Sequence, residues 1–103
     1  MCRKAHGAAF ATWAGVPAET FRFVAGEEQI KLYESSPGNH RAFCSVCGSN
    51  APAKSSDGKM FYVPAGLFDG DPAARPSLHM FVGSKAPWWE IGDDLQQFAE
   101  YPT

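Results

Sequence analysis

Cys44-Ser45-Val46-Cys47-Gly48-Ser49 is the stretch of this sequence that decides the fold. Two cysteines at positions i and i+3 can converge on one metal ion because the residues between them form a tight turn. A glycine directly after the second cysteine favours that turn, since glycine tolerates backbone conformations that other residues avoid. A tetrahedral structural zinc site takes four ligands, commonly as two cysteine pairs. The stretch therefore predicts half of a zinc site.

Two other interpretations of the cysteine pair stay open. A C-x-x-C motif also serves thiol–disulfide chemistry, but the sequence pattern lacks the βαβ unit that carries this motif in thioredoxin-like proteins. Cys44 and Cys47 could also be ordinary small apolar residues, since free cysteine is often simply buried. The chain has 3 cysteines, and the remaining one, Cys2, follows the first residue. Zinc binding is the interpretation that these spacings favour.

The composition is that of an ordinary globular protein. The chain has 103 residues, 45% of them hydrophobic, which predicts a single domain over residues 1–103. A net charge of −2 predicts no basic surface for nucleic acid. No apolar run reaches the roughly 20 residues that span a bilayer, and the first residues lack the apolar core of a secretory signal. We therefore expect a cytoplasmic protein whose partners include neither nucleic acid nor membrane.

The scattered 8 prolines and 10 glycines predict short strands joined by turns. Residues 29–34 alternate apolar and polar side chains, as a half-buried strand does. Asp93 and Asp94 suit the start of one helical turn over 93–98. A long helical period is missing, so the predicted class is mainly β, with small antiparallel sheets. The predicted strands cover residues 8–13, 20–24, 29–34, 40–43, 59–65 and 78–82, with turns at 35–39 and 56–59.

Five segments stand out along the chain, namely residues 1–7 (MCRKAHG), 26–29 (GEEQ), 33–38 (YESSPG), 43–49 (FCSVCGS) and 79–88 (HMFVGSKAPW). Taken in this order, they resemble the glutathione-dependent formaldehyde-activating enzyme family, which includes the centromere protein V relatives. The resemblance extends over essentially the whole chain. It implies a β-tent, in which zinc pins small antiparallel sheets together. It also implies a carbon–sulfur lyase, which adds a thiol such as glutathione to formaldehyde or a similar small electrophile.

The same resemblance implies roles for the cysteines. The family pattern opens with C-x-C-G, continues with C-x-C-x-x-C and later has C-x-x-C. Its first and last pairs share a structural zinc, and the middle three cysteines hold a reactive zinc with an open position. Cys44 and Cys47 match the last pair, and Cys2 matches the third cysteine of the middle cluster. The remaining cysteines have no counterpart, so we expect an N-terminally shortened member that lacks the opening strands.

This shortening leads to three expectations. We expect the zinc site at Cys44 and Cys47 to be incomplete. Of the cysteines that hold the reactive zinc in the family, only Cys2 has a counterpart, so we expect that second zinc site to be lost. A homodimer would cover the sheet edge that the missing strands expose. The lyase activity would be impaired. The alternatives are a non-catalytic zinc-binding interaction module and a redox protein that uses Cys44 and Cys47.

Three further side chains are candidates for the site. Lys85 and Trp88 could hold the carboxylate of a thiol substrate through charge and packing, although a lysine lying over aromatic core explains the pattern equally well. His40 precedes Cys44 by four residues and could ligate the metal, but a structural histidine is the simpler interpretation. His79 lies among apolar residues, which favours a hydrogen-bonded side chain.

Overall fold

The computed structural model describes residues 2–102, apart from the side chain of Cys2. The chain divides into two compact units, one formed by residues 13–69 and the other by residues 2–12 together with 70–102. Short β-strands with antiparallel pairing dominate the unit of residues 13–69, and the other unit has two two-residue strands. The prediction of a mainly β fold built from small antiparallel sheets is confirmed. In the described part of the chain, no helix has the length and apolar character to cross a bilayer.

The unit of residues 13–69 contains a three-stranded sheet and a separate hairpin. In the sheet, β5 lies between β1 and β4, and both pairings are antiparallel. In the hairpin, β2 pairs with β3. Short 3₁₀ turns cover Ala18–Thr20, Glu27–Gln29 and Ala65–Leu67. The strands are β1 (Trp13–Pro17), β2 (Ile30–Ser36), β3 (Asn39–Cys44), β4 (Ala53–Lys54) and β5 (Met60–Pro64).

The central strand β5 carries the apolar packing of this unit. Val63 and Phe61 are two residues apart and so lie on the same face of the strand. Val63 is buried and lies opposite Ala14 of β1. The Phe61 ring stacks on Phe21 with ring centroids 4.2 Å apart, and Phe23 meets Phe21 edge-on at 5.0 Å. These rings supply the contact area that fixes β5 in the unit.

The β2–β3 hairpin delivers the cysteine pair. Its turn contains Gly38, whose φ of 78° is favourable only for glycine among the standard residues. Ala42 of β3 is buried, and its carbonyl accepts a hydrogen bond of 3.0 Å from the amide of Ala51. The register pairs Ile30 with Cys44, so β3 ends at the first cysteine. The predictions of both strands and of the turn between them are confirmed.

The other unit has little regular structure. It contains a five-residue helix, α1 (Cys2–His6), and two short strands, β6 (Leu78–His79) and β7 (Gln96–Gln97), which pair in parallel. A 3₁₀ turn at Val82–Ser84 lies against the chain that follows β7, because the Gly83 amide donates to the Ala99 carbonyl over 3.2 Å. A Cβ on Gly83 would lie 3.0 Å from that oxygen, so the close approach requires glycine.

Several predicted elements are wrong. Residues 8–12 form no strand, since β1 begins at Trp13, and residues 21–24 belong to no strand either. The predicted strand over 78–82 is only β6, because Phe81 adopts a left-handed backbone with φ of 57°. Alternating apolar residues indicate which side chains face a core, but pairing also needs a neighbouring strand in register.

The predicted helical turn over 93–98 is also wrong. The carboxylate of Asp93 accepts a hydrogen bond from the Leu95 amide, which makes a local side-chain turn and not a helix start. Residues Gln96–Gln97 then continue as β7. The helix α1 was not predicted, since five residues are too few to show a helical period.

Candidate metal centre

Backbone hydrogen bonds close the stretch from Cys44 to Ser49 into a tight turn, which we call the knuckle. The Gly48 amide donates to the Cys44 carbonyl over 2.8 Å, and the Cys44 amide donates to the Ser49 carbonyl over 2.9 Å. Gly48 has a left-handed φ of 77°, and a Cβ there would meet no atom within 4 Å. The backbone conformation, and not crowding, therefore selects glycine at this position.

The knuckle is also anchored to the rest of its unit. The Ser45 amide donates to the Gln29 carbonyl over 2.8 Å, which ties the turn to the 3₁₀ segment before β2. An isolated antiparallel bridge joins Phe43 to Asn50, the two residues that flank the knuckle. The two cysteines thus lie on a turn whose entry and exit are both held by main-chain bonds.

Hydrogen bonds favour the thiolate form of Cys47, which is the form that binds zinc. The Val46 amide donates to Cys44 Sγ over 3.4 Å, and Cys47 Sγ lies 3.2 Å from Ser49 Oγ. Bonding to the Ser49 hydroxyl, then to the Ser49 backbone and to Cys44, lowers the pKa of the Cys47 thiol. Both thiols are free, Cys44 half-buried and Cys47 exposed.

This donor set fits half of a tetrahedral zinc site. Two thiolates with donors on their sulfurs match the chemistry of a structural zinc ligand pair. Within residues 2–102, excepting the Cys2 side chain, no three His, Cys, Asp or Glu side chains are grouped to hold a metal ion. Zinc binding by Cys44 and Cys47, and the zinc-pinned β-tent, therefore stay predictions.

His40 lies at the opposite end of β3 from the knuckle. Its Nε2 is 3.4 Å from a carboxylate oxygen of Glu34, the residue that faces it across the hairpin. Four residues along a strand separate His40 from Cys44 by about 13 Å. That distance is too long for both side chains to bind one zinc ion, so the interpretation of His40 as a structural residue is the one that fits.

Lys85 and Trp88 lie in the other unit. Lys85 Nζ donates to the carbonyl of Trp89 over 2.7 Å and to that of Ala86 over 3.5 Å, so the ammonium closes its own loop. Trp88 is 68% exposed. Substrate binding by these two residues stays a prediction. The helix α1 begins at Cys2, but the side chain of Cys2 is outside the part of the chain that the structure describes. Its role as a ligand of the reactive zinc therefore stays a prediction.

A histidine–carboxylate pair in the other unit was not predicted from the sequence. His79 Nε2 lies 3.0 Å from both carboxylate oxygens of Asp93. The Leu95 amide, followed by His79, lowers the pKa of the Asp93 carboxyl. Sequence indicated a hydrogen-bonded His79, which the structure bears out, but 14 residues separate the partners and no short motif marks them.

Comparison with known families identifies the chain. The family model for glutathione-dependent formaldehyde-activating enzyme matches residues 1–84, a range that contains the knuckle and all of the 13–69 unit. Searches of curated proteins and of solved structures found no match. The matched range is most of the 103 residues. The chain therefore belongs to the glutathione-dependent formaldehyde-activating enzyme family.

Proposed function

We propose that this chain acts as a zinc-dependent carbon–sulfur lyase, adding a thiol such as glutathione to formaldehyde or a similar small electrophile. The observation that carries the proposal is the family match over residues 1–84, which includes the cysteine knuckle. The exposed Cys47 thiol and the hydrogen bonds on both sulfurs support the metal chemistry.

The proposed addition balances without a redox partner. The thiol loses its proton, and its sulfur forms a bond to the carbonyl carbon. The π pair of the C=O bond moves to oxygen, which takes up a proton and leaves an S-hydroxymethyl thiol. Zinc would supply Lewis acidity that favours a thiolate at neutral pH. Cys44 and Cys47 would hold the structural zinc, with the Val46 amide and Ser49 hydroxyl orienting their sulfurs, and Cys2 would be a ligand of the reactive zinc.

Lys85 and Trp88 are the residues that we propose for binding the thiol substrate. An ammonium has three N–H donors, and the carbonyls of Ala86 and Trp89 account for two of them. The third can donate to a substrate carboxylate while the exposed Trp88 indole packs on the substrate backbone. Glutamine keeps N–H donors for the loop carbonyls but removes the charge that would bind the carboxylate. A Lys85→Gln variant is therefore expected to raise KM more than it lowers kcat.

The direct test is exchange NMR of glutathione and formaldehyde with the zinc-loaded chain. We expect exchange faster than the uncatalysed reaction, and a return to the background rate in Cys47→Ser. Ser56→Ala, an exposed substitution in the β4–β5 turn, is the control and should keep the wild-type rate. An uncatalysed rate in the zinc-loaded wild type would refute the lyase proposal.

The second candidate function is a non-catalytic zinc-binding interaction module. The small number of metal ligands favours this candidate. Among the described residues, which exclude the Cys2 side chain, no more than two His, Cys, Asp or Glu side chains come together. A chain that binds zinc through Cys44 and Cys47 but leaves the exchange rate at background would support this candidate. A chain without zinc that forms a reversible Cys44–Cys47 disulfide would support the redox alternative, which the lowered pKa of Cys47 favours.

A further inference from the structure

The turn that precedes Lys85 begins with a strained residue. Phe81 has a left-handed backbone with φ of 57° and ψ of 32°, which is an unfavourable conformation for a bulky side chain. Phe81 starts the 3₁₀ turn Val82–Ser84, and its carbonyl accepts a hydrogen bond of 3.1 Å from the Ser84 amide. Strain of this kind persists only where the surrounding structure holds it, and it is often found at functional sites.

The segment of residues 98–101, which we call the strap, holds this turn. It directly follows β7, and its carbonyls accept hydrogen bonds from three successive amides, those of Phe81, Val82 and Gly83, over 3.0, 3.1 and 3.2 Å. The ring of Tyr101 meets the ring of Phe81 edge-on, with ring centroids 4.7 Å apart. These contacts counteract the strain at Phe81. The strap lies outside the residues that the family model matches.

The helix α1 is attached to the same turn. Arg3 Nε donates to the Ser84 carbonyl over 3.3 Å, and Ser84 is the residue directly before Lys85. The strap thus holds the amides at the start of the turn, while Arg3 holds the carbonyl at its end. The turn is therefore a fixed junction of its unit.

Lys85 takes its position from this junction. Its amide donates to the Val82 carbonyl over 3.2 Å, so its backbone closes the turn that the strap holds. Its ammonium is fixed on the Trp89 carbonyl over 2.7 Å. Because both ends of the Lys85 side chain are held, the turn determines where the remaining N–H donors point.

We propose that the strap positions Lys85 for binding of the substrate carboxylate, with Tyr101 as a positioning residue that acts through Phe81. Without the Tyr101 ring, Phe81 would leave its left-handed conformation more often, and the turn would occupy other arrangements. A ligand that needs one arrangement binds more weakly in proportion to the fraction of molecules that adopt it. The inference rests on the proposed substrate-binding role of Lys85.

The test measures binding of S-methylglutathione, a thioether that keeps the carboxylates of glutathione but has no free thiol, so that binding is measured without the reaction. The full chain is titrated by NMR well below the Tm of each variant. We expect Tyr101→Ala to raise the Kd by about threefold to tenfold. Tyr101→Phe keeps the ring and should bind like wild type. Tyr33→Ala makes the same change at an exposed tyrosine of β2 and should also bind like wild type.

Amide hydrogen exchange reports on the strap itself. In Tyr101→Ala, the amides of Phe81, Val82 and Gly83 should exchange faster than in wild type, and those of β2 should not. Faster exchange with an unchanged Kd would overturn the positioning role and leave the proposed role of Lys85 intact. Unchanged exchange would overturn the strap as the element that holds the turn. A wild-type chain that does not bind S-methylglutathione, or a Lys85→Gln variant that binds it equally well, would overturn the role of Lys85 and this inference with it.

Discussion

Gly48 determines the shape of the knuckle through its backbone alone. Its φ of 77° lies in the left-handed region, and open space surrounds the place where a Cβ would be. The amide of Gly48 closes the turn on the Cys44 carbonyl, so the conformation also sets where the two sulfurs lie. A substitution here therefore changes backbone energy without adding a steric clash.

We predict that Gly48→Ala lowers the free energy of unfolding by about 1 kcal/mol, since a side chain in the left-handed region costs roughly 1–2 kcal/mol. Zinc affinity should fall in parallel, because part of the binding energy is then spent on closing the turn. Urea unfolding measured with and without zinc checks both effects.

The matched control is Gly66→Ala in the same unit. Gly66 lies in a 3₁₀ turn, has no left-handed φ and would also meet no atom within 4 Å with a Cβ. This substitution should be neutral or slightly stabilising, because alanine restricts the unfolded chain. Equal losses of unfolding free energy in both variants would mean that the left-handed conformation of Gly48 is not the cause of the loss.

The central strand β5 is where side-chain packing stabilises the 13–69 unit. We predict that Val63→Ala lowers the free energy of unfolding by about 2 kcal/mol, since it removes two buried methyl groups and leaves a cavity on the face of β5 that also carries Phe61. Val24→Ala makes the same chemical change at a side chain that is 90% exposed, and should alter stability by no more than about 0.5 kcal/mol. Denaturant unfolding of the pair gives the comparison, and similar losses at both sites would argue against a core at Val63.

The β4–β5 hairpin owes its turn to Asp57. Its carboxylate accepts hydrogen bonds from the Ser55 hydroxyl over 2.6 Å and from the Lys59 amide over 2.9 Å. The Ser55 hydroxyl, followed by the Lys59 amide, lowers the pKa of Asp57 in the folded chain. A carboxyl whose pKa is lowered by folding stabilises the fold above its unfolded pKa of about 3.9, and this stabilisation is lost as the pH falls through the folded-state pKa.

We predict that wild type is more stable than Asp57→Asn at neutral pH and that the difference shrinks as the pH falls below about 4. Asparagine keeps a neutral acceptor in the turn, so the variant isolates the charge. Asp69→Asn removes the same charge from an exposed position and should show no such pH-dependent difference. Thermal unfolding across this pH range is the measurement, and a difference that persists at low pH would exclude ionisation of Asp57 as the cause.

Local patterns predicted the hairpins and the knuckle because each is encoded within a few residues. The alternation of residues 29–34 and the turn at Gly38 together specify β2 and β3. The strand predicted over 8–13 failed because its apolar residues have no strand beside them to pair with. At the candidate site, the spacing of the cysteines could be recognised in the sequence. The Ser45–Gln29 and His79–Asp93 hydrogen bonds could not be predicted from it. Partners that are distant in sequence leave no periodic signal.

The 13–69 unit has a small core and a large exposed apolar surface. Its buried apolar residues are Ala42, Ala51 and Val63, two of which are only alanines. Domains with so little buried area commonly depend on a metal, a disulfide or association for stability. The knuckle begins at the last residue of β3, so a metal bound by both of its cysteines would fix the turn that ends the hairpin.

We therefore predict that zinc stabilises the whole chain through Cys44 and Cys47. At free zinc about 100 times its Kd, the free energy of unfolding should rise by about 2.7 kcal/mol, because the metal binds the folded state preferentially. Cys47→Ser should gain nothing, whereas Tyr33→Ser should gain as much as wild type. Thermal unfolding with zinc and with a chelator tests this, and an equal gain in Cys47→Ser would place the stabilising zinc elsewhere.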